Sequence, residues 1–171
     1  MGEENRRLGY DDVRPLLDRL LAMLRTRLGE RLLAVALYGS LAREQARLTS
    51  DMDLLIVYRG DRMAVFDQFM EMLLDDLEHT REWMELRREG LKPDPYPVFF
   101  NEAELADTPW LLLDIQDHGI ILYDPHAILQ HRFESLRRRL KELGSRKVVL
   151  EDGSWYWDLK PDWKPGEVIE L

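Results

Sequence analysis

Cysteine is absent from this chain, which excludes a disulfide framework and any thiolate metal site. No apolar run approaches the roughly 20 residues that a membrane-spanning helix needs. The first residues, Met-Gly-Glu-Glu-Asn-Arg-Arg, are polar and acidic where a secretory leader is basic and then apolar. These absences together lead to the expectation of a cytoplasmic protein. An excess of positive charge is also missing. Lys and Arg number 24 against 33 Asp and Glu, a net charge of −9, which argues against a protein that coats nucleic acid. Internal repeats and low-complexity segments are lacking as well.

What remains is a chain of 171 residues, 45% hydrophobic and 33% charged, long enough for one globular domain with a proper core. Asp11 and Asp12 read as a helix start. Val13, Leu16, Leu17, Leu20, Leu21, Leu24 and Leu28 then recur at helical spacing until Gly29. Leu32 to Tyr38 and Asp53 to Tyr58 are nearly continuous apolar runs, the pattern of strands covered on both faces. Between them, Leu41 to Arg47 reads as a short helix. Residues 62–88 read as one long helical stretch with Val65, Phe66, Phe69, Met70, Leu73, Leu74 and Leu77 as its buried stripe.

Further along, Gly90 to Pro97 reads as loop, Val98 to Phe100 as a strand, and Glu102 to Asp107 and Pro109 to Asp117 as helices. Ile120 to Tyr123 is a further strand, Pro125 to Leu143 the last long helix, and Val148 to Leu150 a candidate strand. Strands alternating with helices point to an α/β or α+β sandwich with helices on a small mixed sheet. The expected division is a core over residues 1–124 and, over 125–171, a C-terminal helix with a Trp-rich tail packed on the same domain.

The segment from Val35 to Tyr58 carries the chemistry. A strand runs into Gly39-Ser40, a polar stretch follows, and Asp51 and Asp53 open the next strand. Side chains two apart in a strand share a face, so the two carboxylates project together and repel unless a cation lies between them. Hard oxygen ligands of this kind suit Mg2+, which completes its shell with water and substrate phosphate. A Gly-Ser turn at a helix start offers backbone N–H groups to phosphate. The order Gly39, Ser40, Ala42, Arg43, Ser50, Asp51, Asp53, Leu54 resembles the signature of the DNA polymerase β-like nucleotidyltransferase superfamily in its minimal single-domain form.

That resemblance implies an α+β fold of the polymerase β palm type, a small mixed sheet flanked by helices. It implies Asp51 and Asp53 as catalytic metal ligands for Mg2+. Gly39, Ser40, Arg43 and Ser50 would bind the nucleoside triphosphate, with Arg43 countering its charge. A surface ion pair of Arg43 with Glu44 is the plainer role. The superfamily also uses a third carboxylate on a later strand. Here the matching stretch is Tyr96-Pro97-Val98-Phe99-Phe100, with Asp94 before it and Glu102 after it, so no acid stands within it.

The implied reaction moves a nucleoside monophosphate to an acceptor hydroxyl, in antitoxin-type relatives on a HEPN-type partner protein. A nucleotide-binding or partner-inhibiting module without the third acid is the alternative, and a small-molecule transferase a third. A homo-oligomer stays open. Other sites are weaker. His79, His118, His126 and His131 show no zinc-ligand spacing, and Ser40 lacks a Gly-x-Ser-x-Gly context. The basic run Arg132–Lys147 and the acidic run Glu71–Glu78 read as solvated faces or docking surfaces. Trp155, Trp157 and Trp163 either fold back on the core or present an aromatic surface to a partner or a nucleobase.

Overall fold

Gly9 opens the first helix, α1 (Tyr10–Leu28), by donating its N–H to Asp12 Oδ2 at 2.9 Å. The protein is seen in a computed structural model that describes residues 6–107 and 110–171. The apolar stripe read from the sequence is the one that α1 buries: Val13, Leu16, Leu17, Leu20, Leu24 and Leu28 are all covered. A single 3-10 turn leads into β1 (Leu32–Tyr38), followed by the very short α2 (Gly39–Ala42), a loop, and β2 (Met52–Tyr58). Then come α3 (Arg62–Glu71), α4 (Arg81–Arg88), β3 (Pro95–Asn101), α5 (Glu102–Ala106), α6 (Leu111–His118), β4 (Ile120–Tyr123), α7 (Ile128–Glu142) and a C-terminal hairpin, β5 (Arg146–Val149) with β6 (Trp155–Asp158).

The main sheet has the order β3-β2-β1-β4, with β2 and β3 parallel and the other neighbours antiparallel. It is the expected small mixed sheet. One face (Val35, Leu37, Leu54, Ile56) packs on α1 and on Val65, Phe69 and Trp83 from the α3–α4 region. The other face (Ala34, Ala36, Leu55, Val57) packs on Leu112, Leu113, Leu129, Phe133 and Leu136 of α6 and α7. Burial on both sides explains why β1 and β2 read as unbroken apolar runs. Leu20 is fully buried at the α1 face, so Leu20→Ala should cost about 2–5 kcal/mol by removing methyl groups and leaving a cavity, measured as a lower urea midpoint.

Four expectations need correction. The stretch 62–88 is two helices. α3 passes through a π turn (Met72–Asp76) and a 3-10 turn (Leu77–His79), and α4 restarts at Thr80, whose Oγ1 accepts the Trp83 N–H at 3.3 Å. A threonine cap offers the backbone an alternative to continuing the helix. The helix expected over Leu41–Arg47 stops at Ala42. Glu44 takes a left-handed conformation (φ 57°), and the Gln45 N–H returns to Ser40 O at 2.9 Å, a helix end that usually uses glycine.

The third strand starts three residues early and contains Pro95 and Pro97. Met52 donates to Asp94 O, so residues 94 and 96 face β2, while the two prolines face the open edge, where a missing N–H costs nothing. The last helix begins at Ile128, because Asp124 accepts the N–H groups of Ile128 and Gln130 and a turn occupies the residues before it. The expected helix start at Pro109 lies outside the described residues.

Candidate functional site

Sheet register builds the site. Tyr38, at the end of β1, pairs with Asp53 near the start of β2, and Asp53 pairs with Tyr96 on β3. The three side chains form one row across the sheet on the face shared with Leu55 and Val57, the face covered by α6 and the hairpin. Gly39 follows Tyr38 directly, with φ 73°. A Cβ placed on Gly39 would lie 1.9 Å from Asp53 Oδ2, so the carboxylate packs against bare backbone at the turn. The glycine is required twice there, for the left-handed conformation and for the close approach.

Burial raises the Asp53 pKa above the ordinary carboxylate range. The negative charge of Asp51 adds to the rise and Arg43 works against it. Tyr38 is pushed up to about 12, first by burial and then by the charge of Asp53. Its phenol therefore stays protonated and neutral throughout the physiological range. Asp51 is solvent-exposed and Asp53 half-buried. No ion pair engages Asp51, Asp53 or Arg43 among the described residues.

Each residue expected at the site has a definite place. Ser40 lies in α2, half-buried beside Gly39. Four residues are too few for a strong helix dipole, so phosphate binding at this turn would depend on local N–H groups. Ser50 does not project freely: its Oγ accepts the Arg47 N–H at 2.9 Å and closes the turn before Asp51. Arg43 does not pair with Glu44. Its guanidinium carbon lies 5.0 Å from the centre of the Trp155 ring, and its Nε is buried with no hydrogen-bond partner.

A cavity of about 200 Å3 opens between the glycine turn, Arg43, Asp114, His118 and Trp155. Larger cavities lie elsewhere, including one of about 770 Å3 between the C-terminal end of α1 and Tyr123, far along the sheet from the aspartates. The small one adjoins the carboxylate row and is the relevant one.

Strand register, which spacing along the chain does not fix, decides which β3 residue lies beside the aspartates. The register identifies Tyr96, which is 63% exposed. Glu102 lies at the opposite end of the sheet, after Asn101, which pairs with Tyr58, and is held by Arg59 through two 3.1 Å hydrogen bonds. Asp94 is exposed beside Arg87 at 3.9 Å. Among the described residues no group of three His, Asp or Glu side chains could hold a metal. Asp51 and Asp53, at the start of β2, are two hard, negatively charged carboxylates, a donor chemistry that suits a divalent cation whose shell is completed by water and phosphate.

The tail also has a definite role. The indole N–H groups of Trp155 and Trp157 both donate to Asp114 Oδ1, at 3.1 and 3.3 Å, and Trp157 packs against the second core. Trp163 stays half exposed and donates to Glu167 O. Much of the basic run ties elements together. Arg132 donates to Leu105 and Ala106 carbonyls, Arg137 to Gln116, and Lys147 to Asp117. No helix among the described residues is long and apolar enough to cross a membrane.

Among solved structures, the chain is similar to a toxin–antitoxin complex with AMP-PNP, with 16% identity over 74% of this chain and 91% of that one and a TM-score of 0.43. It is also similar to the toxin–antitoxin pair MntA–HepT, with 14% identity over 77% and 92% and a TM-score of 0.42. A tri-AMPylated Shewanella oneidensis HEPN toxin in complex with MNT antitoxin gives 14%, 77%, 92% and 0.43. Comparison with curated protein sequences gives no significant match. The family described as nucleotidyltransferase domain matches residues 17–161, which include the glycine turn, both aspartates, β3 and the hairpin. With so much of its length inside that match, the chain belongs to the nucleotidyltransferase domain family.

Proposed function

We propose that this protein transfers a nucleoside monophosphate from a Mg2+-bound nucleoside triphosphate, with ATP as the first candidate, to an acceptor hydroxyl. One observation supports the reading: bare backbone at Gly39 abuts Asp53 Oδ2, so the glycine turn and the start of the strand that carries the aspartates meet directly. A divalent cation at this pair would neutralise polyphosphate charge and polarise the reacting phosphate. Asp51 and Asp53 would hold it, Gly39 and Ser40 would offer backbone and hydroxyl groups to the terminal phosphates, and Arg43 would counter their charge. Ser50 would keep Asp51 in place through its turn. The acceptor hydroxyl enters from the open edge near Tyr96.

The acceptor is sought first on a partner protein, because the sequence resembles antitoxin-type members that pair with HEPN-type proteins. The same reading keeps residues 1–124 as the transferase core, 125–171 as an extension packed on it, and a cytoplasmic setting. A second reading has its own support. Tyr96 pairs with Asp53 and Val98 follows it on the same face, so β3 brings no third acid to the aspartates, and a phenol ligates a hard cation poorly. On that reading the fold binds Mg2+-nucleotide without turning it over, as a sensor or an inhibitory partner.

Incubation with α-labelled ATP, Mg2+ and candidate acceptors separates the two. Label on an acceptor supports transfer, tight nucleotide binding without label supports the binding module, and neither result sinks both. The pH profile is a further check. Asp53 must be ionised to hold a cation, and its pKa is raised, so nucleotide binding should fade on acidification at a higher pH than an ordinary carboxylate would dictate. A fade only within the ordinary carboxylate range would remove Asp53 from the binding step.

A further inference from the structure

We infer that Trp155 is a positioning residue for nucleotide capture: its indole face holds the Arg43 guanidinium at the rim of the glycine turn without neutralising it. The inference rests on the nucleotide-binding reading above and adds to it a residue from the C-terminal hairpin, 112 positions away in sequence. A mobile arginine loses rotamer entropy when it grips a ligand, and orienting it beforehand removes that cost. A carboxylate partner would orient it too, but would cancel the charge a polyphosphate needs. An aromatic face orients a guanidinium and leaves its charge uncancelled.

The geometry matches this logic. Arg43 lies over the Trp155 ring at 5.0 Å, has no carboxylate partner among the described residues, and its buried Nε finds no acceptor. Hydrogen bonding at Nε therefore does not set its orientation, and the ring does. The second cation against the same ring behaves differently. Lys147 Nζ, 4.6 Å from the ring centre, is neutralised by Asp117 at 2.7 Å. Trp155 is itself fixed, because its indole N–H donates to Asp114 on α6. Asp114, Trp155 and Arg43 thus form a chain of contacts from α6 through the hairpin to the turn, and all three line the 200 Å3 cavity beside Gly39.

The test is a double-mutant cycle read by calorimetry on the full chain. Two probes are used with Mg2+: a non-hydrolysable ATP analogue, and tripolyphosphate, which has no base or sugar. Trp155→Leu should weaken both about tenfold, the size of a partly desolvated cation–π contact. In an Arg43→Gln background the same change should have no further effect. Trp155→Phe, which keeps an aromatic face, should recover most of the affinity.

Wild-type affinity in Trp155→Leu, or an equal loss with and without Arg43, would overturn the inference while nucleotide binding by the aspartates stands. If far-UV circular dichroism shows the leucine variant unfolded, Trp155→Phe decides. A loss of about two- to threefold that disappears in the Arg43→Gln background supports the role. A loss of tenfold or more, or one that persists there, refutes it. Wild-type protein that binds neither probe overturns both readings.

Discussion

Asp53→Asn should lower Mg2+-dependent label transfer by about 10²- to 10³-fold, the scale on which one preorganised electrostatic group acts at a reacting centre. The substitution keeps the shape of the side chain and removes its charge, so it tests the charge. It should also raise thermal stability at neutral pH, the opposite direction from its effect on activity. Burial and the neighbouring Asp51 raise the folded-state pKa of Asp53. A carboxyl whose pKa is higher folded than unfolded destabilises the folded protein at any pH above the unfolded value, and the penalty disappears below it. The stability difference between asparagine and aspartate should therefore be present at pH 7, shrink as pH falls through the raised folded-state pKa of Asp53, and be gone below the ordinary carboxylate range. Thermal melts at several pH values, set beside transfer assays, read both effects. Transfer at the wild-type rate by Asp53→Asn would remove Asp53 from the metal site.

Gly39→Ala should be nearly as damaging to activity, and it should cost stability as well. Its Cβ would sit 1.9 Å from Asp53 Oδ2 in a backbone conformation of φ 73° that L side chains rarely adopt. Either the carboxylate is displaced or the turn opens, and each takes apart the contact on which binding depends. The left-handed conformation alone costs about 1 kcal/mol, and the overlap adds about 1–3 kcal/mol. Gly144 is the control. It has a similar φ of 67° but nothing within 4 Å of a would-be Cβ, so Gly144→Ala should cost only the first of these amounts. Unfolding midpoints measure the difference between the two variants, and equal losses would show that the contact with Asp53 is unimportant.

The elements legible from sequence were those whose pattern is local. α1 carries its leucines at helical spacing, and β1 and β2 are apolar runs bounded by charged or glycine residues. The break between α3 and α4 escaped because the apolar stripe continues on both sides of it, while the cap at Thr80 is one hydroxyl in a charged stretch. The early end of α2 escaped for a related reason: Glu44 occupies a position that normally announces itself with glycine. β3 reads short from sequence because its two prolines have the pattern of a loop, and only its place at the sheet edge makes them acceptable.

By itself the sequence determined the first helix, the two central strands, the order of a glycine turn and two aspartates, and the family, since each depends on residues within about twenty positions of one another. Tertiary structure decided which groups face those aspartates. Tyr96 stands beside Asp53 because of strand register, Glu102 is carried to the far end of the sheet, and Trp155 reaches Arg43 only after the chain has crossed both layers of helices. The reason is that a side chain's spacing along a strand or helix is set by backbone geometry, whereas its neighbours across the sheet are set by packing of the whole core.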